Sequence, residues 1–275
     1  MKRILLDNHI KFVPKGHEYY DKKDREYLSV TKFISKVLKE PFDENISFYI
    51  AKGKLGWKAS PADIELEAKK IKEEWKKEND KATKWGKFVH NNLEQYFKTG
   101  HIIPEMKILI TKLIDFIKPY NEIAAESYLY SIFYRMAGQV DLIVKRQKSA
   151  SSVIDVYDYK TNIKKGIQFN SIGNSIDKEK QYNRYFLDNF NHMEDCNYNL
   201  YCFQLNIYAI MLQLTYGFKI GRLGIIFIHK SLDDFTYYPV PFMKYDTLRL
   251  LEERKKSMLD DPNIKTNLII EDDEF

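Results

Sequence analysis

Cysteine is scarce in this 275-residue chain, which contains only Cys196 and Cys202. Two cysteines cannot form the disulfide framework of a small secreted domain, so the sequence favours a reducing compartment. Long apolar runs are also missing, because none reaches the roughly 18 residues that a membrane-spanning helix needs. The apolar part of the N-terminal segment 1–7 is too short for a signal peptide. We therefore expect a cytoplasmic protein with no membrane partner.

The sequence also lacks internal repeats, low-complexity tracts and a strong excess of one charge. Its 44 basic and 39 acidic residues give a net charge of +5, which permits a nucleic-acid partner without requiring one. Apolar residues make up 44% of the chain and aromatic residues 15%, and this composition is typical of a folded protein. The chain is long enough to form one large domain, or one domain with a helical attachment.

Periodicity and turn residues predict a chain of alternating helices and strands. The predicted elements are a hairpin at 9–28, a short helix to Leu38, helices at 61–78 and 83–99, a helix that Pro104 opens, strands at 126–134, 138–146 and 153–160, a helix at 199–216, strands at 222–229 and 235–240, and a helix at 244–259. This order indicates an α/β protein with a mixed central β-sheet flanked by helices.

The same pattern suggests three parts. We expect an N-terminal hairpin and helical region at 1–80, packed on a core at 81–260. The core contains an insertion at about 162–198, and an acidic C-terminal tail follows at 261–275.

Two neighbouring predicted strands carry the residues on which the functional argument depends. Asp141 follows Val140 at the start of an apolar strand, and Asp158 and Lys160 end the next strand. Asp158 and Lys160 are two residues apart, so they share one face of their strand. Carboxylates beside a lysine are suited to hold Mg²⁺ and to activate a water molecule. A structural Asp–Lys pair at a sheet edge is the alternative.

Two predicted helices add polar residues at helical spacing. Gly86, His90 and Glu94 are four residues apart and share a face, from which His90 can offer an imidazole to a metal. Gln204 and Tyr208 are also four apart, in a helix that is apolar almost all round. Because a buried glutamine needs hydrogen-bond partners, we expect this pair to brace the active-site lysine or a substrate phosphate.

Together these residues resemble the RecB-like branch of the PD-(D/E)XK nuclease superfamily, including its phage-type exonucleases. The order that they share with it is a helical histidine, Gly-x-x-Asp, Asp-x-Lys-Thr and Gln-x-x-x-Tyr. In this chain these are His90, Gly138 to Asp141, Asp158 to Thr161, and Gln204 to Tyr208. The resemblance covers roughly residues 80–230, and it implies a restriction-endonuclease-like core.

The resemblance also implies roles for individual residues. His90, Asp141 and Asp158 would bind Mg²⁺ or Mn²⁺, the Tyr159 carbonyl would be a further ligand, and Lys160 would be catalytic. Some members carry four cysteines for an iron–sulfur cluster, and with two cysteines we expect no such cluster here.

Two details of the family pattern need comment. Val140 stands where the superfamily name has proline, which is a common departure in the RecB-like branch. Relatives sometimes use a glutamate near the position of Glu126 to support the metal, but we expect Glu126 to lie on the surface.

The segment 162–198 is unusually rich in asparagine, lysine and aromatic residues. It contains Lys164 and Lys165, and further along Phe186 and Phe190. Basic residues contact phosphates and aromatic residues stack on bases in proteins that bind single strands. Since long loops are often functional, we expect this segment to guide a strand or duplex end into the site. A loop that only covers the core is the alternative.

The predicted helix at 61–78 is charged and amphipathic. Its many lysines include Lys69, Lys70, Lys76 and Lys77. A solvated face with i,i+4 ion pairs is the simplest interpretation of these lysines, and a DNA-facing role is the alternative.

The sequence therefore predicts a Mg²⁺-dependent deoxyribonuclease that acts from DNA ends, in phage-type recombination, repair or DNA processing. We assign substrate binding to Gln204, Tyr208, Thr161, Lys164 and Lys165. The alternatives are a structure-specific or restriction-type endonuclease of the same fold, or a non-catalytic nucleic-acid-binding accessory protein. The expected partner is DNA, and a homo-oligomer or a recombination partner protein is compatible with this prediction.

Overall fold

A computed structural model describes residues 2–4, 6, 9–56, 58–146, 153–161, 166–169 and 184–260 of the chain. The first elements are β1 (Lys2–Arg3), β2 (Lys11–Val13), β3 (Glu18–Tyr20), β4 (Glu26–Ser29), α1 (Val30–Leu38) and α2 (Ile46–Leu55). They are followed by α3 (Pro61–Thr99), α4 (Lys107–Ile117), β5 (Tyr120–Ser131), β6 (Met136–Arg146) and β7 (Val153–Lys160). The last described elements are α5 (Asn197–Tyr216), β8 (Lys219–Ile228), β9 (Phe235–Val240) and α6 (Lys244–Leu259).

The strands of the described residues join in one mixed sheet. Their order is β2-β3-β4-β6-β7-β8-β9, with β5 paired to β6 and β1 paired to β5. The pairs β5–β6, β6–β7 and β8–β9 are antiparallel, whereas β7 and β8 run parallel. β6 and β7 therefore lie in the interior of the sheet, with strands on both sides.

Apolar side chains on the two faces of the sheet form two separate cores. Ile154 and Val156 of β7 pack on the face that α1, α5 and α6 cover. Tyr157 and Tyr159 of the same strand pack on the opposite face, against α3 and α4. This alternation follows from the two-residue period of a strand. Helices thus cover both faces, and the predicted α/β class with a mixed central sheet is confirmed.

The long helix α3 replaces the two helices predicted at 61–78 and 83–99. It begins where the Ser60 hydroxyl accepts a hydrogen bond from the Asp63 backbone N–H at 3.2 Å, and it ends at Gly100, whose φ of 78° is left-handed. The prediction of a break was wrong because it rested on lost apolar periodicity around residues 79–82. This stretch contains neither proline nor glycine, so nothing in its backbone chemistry interrupts the helix.

Two other elements differ from the sequence-based expectation. β5 begins at Tyr120 rather than at residue 126. The helix α2 was not predicted, because its apolar residues are spread around the helix instead of forming a stripe. The hairpin expected at 9–28 is present as β2, β3 and β4, which pair antiparallel in sequence order.

The predicted insertion is described only in part. Residues 162–165 and 170–183 lie outside the described residues, as does the acidic tail at 261–275. Phe186 and Phe190, which were expected to help bind bases, instead lie buried against Phe203 of α5. At least this end of the insertion covers the core. Among the helices of the described residues, none has both the length and the apolar character to cross a membrane.

Candidate active site

Three adjacent strands place three carboxylates at one level of the sheet. The residues on either side of Glu126 in β5 pair with those on either side of Asp141 in β6, so these two lie opposite each other. The last β6–β7 pair, Leu142 with Tyr157, puts Asp158 level with Asp141 in the same way. The sheet therefore gathers Glu126, Asp141 and Asp158 in consecutive strands.

The backbone is irregular at this level. Glu126 has a left-handed φ of 46°, which is uncommon for residues other than glycine and concentrates at functional sites. Asp141 uses its side chain where strand pairing stops, because its Oδ2 accepts a hydrogen bond from the Tyr159 backbone N–H at 2.5 Å. The Asp141 side chain thus replaces a backbone acceptor at the end of the β6–β7 pairing.

His90 of α3 completes a group of metal-ligating side chains. Its Nδ1 lies 3.0 Å from Glu126 Oε1 and 3.4 Å from Asp141 Oδ1. One ligand atom from each of the three residues lies within 4.8 Å of the other two. The Glu126 side chain is only 7% exposed, so the expectation of a surface glutamate was wrong. Gln139 Nε2 holds the other oxygen of this carboxylate at 2.8 Å.

The charges in this group are strongly coupled. Burial lowers the pKa of His90, but Asp141 and then Glu126 outweigh it and raise the pKa to about 11. Burial, reinforced by the nearby Asp141 charge, raises the pKa of Glu126 to about 7. Burial also opposes ionisation of Asp141, yet His90 and Lys160 hold the pKa of that carboxyl below its usual value. Protonated His90 is thus the cation that balances these carboxylates in the metal-free protein.

Asp158 faces a lysine rather than the histidine. Its Oδ2 lies 2.5 Å from Lys160 Nζ, and the side chains are only 5% and 17% exposed. Burial raises the pKa of Asp158 to about 6, although the Lys160 charge opposes this rise. Burial disfavours the Lys160 charge, but Asp158 outweighs it and raises the pKa of the lysine. Lys160 is therefore a buried cation at neutral pH, 4.3 Å above the Tyr201 ring.

Gln204 of α5 joins this pair from the side. Its Nε2 donates to Asp158 Oδ1 at 3.1 Å, and its Oε1 accepts from Lys160 Nζ at 3.5 Å. The same Nε2 is 3.4 Å from the Tyr208 hydroxyl. Gly138 makes this arrangement possible, because a Cβ at that position would lie 2.6 Å from the Tyr208 ring. The glycine of Gly-x-x-Asp thus makes room for the Tyr208 ring of α5.

The other residues predicted to bind metal or substrate are Tyr159, Thr161, Lys164 and Lys165, and the structure describes the first two. The Tyr159 side chain is buried beneath the site, with its ring centroid 5.7 Å from that of His90. Thr161 lines the cavity that also contains His90, Asp141 and Asp158. A Cβ on Gly86 would lie 3.4 Å from the Thr161 hydroxyl. Lys164 and Lys165 lie outside the described residues.

The predicted residues His90, Asp141, Asp158, Tyr159, Lys160, Thr161, Gln204 and Tyr208 line one cavity of about 440 Å³. It also contains residues that the sequence did not lead us to assign to the site. They are His17, Tyr19, Ser29 and Thr31 from the N-terminal region, together with Glu126, Gln139 and Tyr201. The position of Glu126 opposite Asp141 could have been predicted, because a hairpin turn centred on 133–134 pairs residue 126 with residue 141. The N-terminal residues carry no comparable signal, because only the tertiary fold brings them to the cavity.

The donor set fits a divalent metal. Carboxylate oxygens are the ligands that Mg²⁺ and Mn²⁺ prefer, and an imidazole nitrogen is also accepted by Mn²⁺-like transition metals. His90, Glu126 and Asp141 supply these donors within a single small group. Asp158 lies in the same cavity, but its carboxylate is directed to Lys160 and Gln204.

Comparison with known proteins gives no family. No family model matches the chain, and no curated protein matches it. The solved structure of SSO0001 aligns at 13% identity over 82% of this chain and 83% of that one, with a TM-score of 0.32. That of a candidate exonuclease from Eubacterium rectale aligns at 10% identity over 88% of this chain and 82% of that one, also with a TM-score of 0.32. Likeness at this level carries no functional argument, so function has to be argued from the site.

Proposed function

We propose that this protein is a metal-dependent nuclease that hydrolyses phosphodiester bonds in DNA. The observation that carries the proposal is the group of His90, Glu126 and Asp141, whose ligand atoms lie within 4.8 Å of one another. Beside it lies a buried lysine that Asp158 keeps charged. Carboxylates that hold a metal, next to a fixed cation, are what phosphodiester hydrolysis by water requires.

Each residue has a definite task in this proposal. His90, Glu126 and Asp141 hold the divalent metal, which supplies Lewis-acid activation of water and phosphate. We include Asp158 as a further ligand because it lies level with Asp141 in the same cavity, and the Tyr159 carbonyl because the resemblance implies it.

Lys160 acts as a cation rather than as a base. Its pKa is raised by Asp158, so it stays protonated and offsets the negative charge that develops on the phosphate. Gln204 contacts both members of the pair and fixes the direction of the ammonium group. No covalent intermediate is needed, because water is the nucleophile.

The preference for DNA ends comes from the resemblance to phage-type exonucleases, and so do the roles in recombination and repair. An endonuclease of the same fold would use the same residues. The two activities are separated by the topology of the substrate, since an exonuclease leaves closed circular DNA intact.

Digestion of end-labelled linear DNA beside closed circular DNA tests the proposal. Wild type, Lys160→Ala and Lys145→Ala would be compared in Mg²⁺, in Mn²⁺ and in EDTA. Lys145→Ala is the matched control, because Lys145 forms a surface ion pair with Glu122 at 3.2 Å. We expect metal-dependent loss of linear DNA by wild type and control, and a loss of nearly all activity in Lys160→Ala with DNA binding retained.

Other outcomes identify the alternatives. Nicking of circles would favour the endonuclease. Full activity of Lys160→Ala would show that the assigned site is wrong. Binding without cleavage in any metal would favour the non-catalytic accessory protein, although the presence of every acid and of the lysine in one cavity argues against that role.

A further inference from the structure

One helix connects the candidate active site to a part of the chain that is exposed on all sides. α3 carries His90 in its second half, and residues 72–84 of the same helix are all exposed. We call residues 72–84 the shaft. Before the shaft, Ile64, Ala68 and Ile71 pack against α2. A helix that is polar and exposed all round over about three and a half turns bridges two packed regions instead of covering a core.

The lysines of α3 are not spread evenly around the helix. At about 100° per residue, Lys69, Lys72 and Lys76 all lie within about 60° of the direction of His90. Lys87 continues this line and borders a cavity of about 580 Å³, which His90 also lines. We call Lys69, Lys72, Lys76 and Lys87 the lysine line. The acidic residues of the shaft, Glu73, Glu74, Glu78 and Asp80, lie outside this sector, whereas Glu65 and Glu94 lie within it, beyond the two ends of the lysine line.

No member of the lysine line forms an ion pair among the residues that the structure describes, although Lys69 and Lys72 border a cavity that Glu44 and Glu65 also line. In the part of the chain that the structure describes, none of its four ammonium groups has a carboxylate oxygen within 4.0 Å. Lys70, on another side of the helix, does approach Glu67 at 4.0 Å. The i,i+4 pairs that the sequence favoured are thus not formed by the lysines on the active-site side. Unpaired cations in a row are suited to a partner with regularly spaced negative charge.

We propose that the lysine line binds the phosphate backbone of a nucleic acid whose end lies in the candidate active site. Lys69 and His90 are 21 positions apart, which is about 32 Å along the helix. A duplex rises 3.4 Å per base pair, so this length matches about nine base pairs. The lysine line would then set affinity and hold the substrate, while cleavage depends on the cavity. This inference rests on the proposed function.

The test compares two triple variants of the same helix. K69Q/K72Q/K76Q removes three members of the line, and K70Q/K77Q/K81Q removes three lysines that lie about 140–180° from His90. Both change the net charge equally, and glutamine keeps a helix propensity close to that of lysine. Binding of labelled 20-mer duplex and single-stranded DNA would be measured over a range of salt, in EDTA and again with Ca²⁺. Circular dichroism would verify that both variants fold.

The expected result is a change in salt dependence. Each lost phosphate contact lowers the slope of log K against log salt by about 0.9 for duplex and about 0.7 for a single strand. K69Q/K72Q/K76Q should therefore lose about 2.7 units of slope with duplex or about 2.1 with a single strand, and the control should keep its slope. The substrate that shows the loss is the one that the line holds.

Two outcomes would overturn the inference. Equal losses in both variants would indicate a general effect of net charge, and no loss in either would place the backbone elsewhere. In both cases cleavage by wild type would leave the proposed function intact. A wild-type protein that neither binds nor cleaves DNA would remove the proposed function and the inference together.

Discussion

Glu126 lies opposite Asp141 across β5 and β6, and both carboxylates meet the same nitrogen of His90. Nδ1 is 3.0 Å from one and 3.4 Å from the other. The two buried carboxylates have oxygens within 4.8 Å of each other and therefore repel, so the pair is stable only with a cation beside it. In the metal-free protein the protonated His90 is that cation, and its pKa is raised accordingly, to about 11. This relationship makes Glu126 the residue whose role most needs a test.

Glu126→Gln should weaken metal binding. The amide keeps the shape of the side chain but removes one negative charge from the group. Loss of a partner behind a ligand already costs about 10- to 100-fold in metal affinity, so loss of the charge of a ligand itself should cost at least about 10-fold. Calorimetric titration with Mn²⁺ would measure the loss. Glu122→Gln on the same strand is the control. The Glu122 carboxylate lies 3.2 Å from Lys145 Nζ and does not line the cavity. Equal affinity in wild type and Glu126→Gln would show that Glu126 is not a ligand.

The same residue predicts how the metal-free protein responds to pH. The pKa of Glu126 is raised in the folded state to about 7 from an ordinary value of 4.5, because of burial and then the Asp141 charge. A raised pKa contributes stability that is complete below 4.5 and is lost as the pH rises through 7. In EDTA, the free energy of unfolding of wild type should therefore fall between pH 5 and pH 8 relative to Glu126→Gln. Urea titrations of both proteins measure this difference, and a constant difference would contradict it.

Much of the fold could be predicted from the sequence because its signals are local. β7 was predicted with the bounds that it has, since its two faces alternate and Asp158 and Lys160 follow the apolar run. α6 was also predicted with the observed bounds. The order of strands and helices was enough for the α/β class, because strand-helix-strand patterns leave few ways to cover a sheet.

The features that sequence reasoning missed depend on tertiary structure. Glu126 was expected on the surface, although relatives sometimes use a glutamate near this position, and the register of β5 with β6 places it opposite Asp141. The continuity of α3 was missed because residues 72–84 are exposed and so have no apolar periodicity to mark the helix. His17, Tyr19, Ser29 and Thr31 enter the cavity from the N-terminal region, far in sequence from His90 and the strands that carry the carboxylates.

Gly138→Ala should destabilise the protein. A Cβ at this position would lie 2.6 Å from a ring carbon of Tyr208, and that ring is buried and cannot move without disturbing α5. Overpacking of this kind costs about 1–3 kcal/mol. Urea unfolding measures the loss, and activity should fall with it because Gln204, one turn before the ring, contacts Asp158.

Two further variants define the origin of that effect. Gly53→Ala is the control, because nothing lies within 4 Å of the added Cβ, and in a helix the change should be neutral or stabilising by up to about 1 kcal/mol. Adding Gly138→Ala to a Tyr208→Ala background should cost less than adding it to wild type, because the clash is gone. An equal cost in both backgrounds would place the strain elsewhere.

Gln204→Leu should lower kcat by about 10- to 100-fold and leave KM nearly unchanged, as loss of an outer partner in a metal site commonly does. Leucine removes the N–H that Asp158 Oδ1 accepts at 3.1 Å and the oxygen that faces Lys160, so the ammonium group loses its fixed direction. Gln213→Leu is the matched control on the same helix, because Gln213 is exposed and does not line the cavity. Steady-state kinetics on linear DNA would measure kcat and KM separately for wild type and both variants. An unchanged kcat in Gln204→Leu, or an equal loss in Gln213→Leu, would show that Gln204 does not position the lysine for reaction.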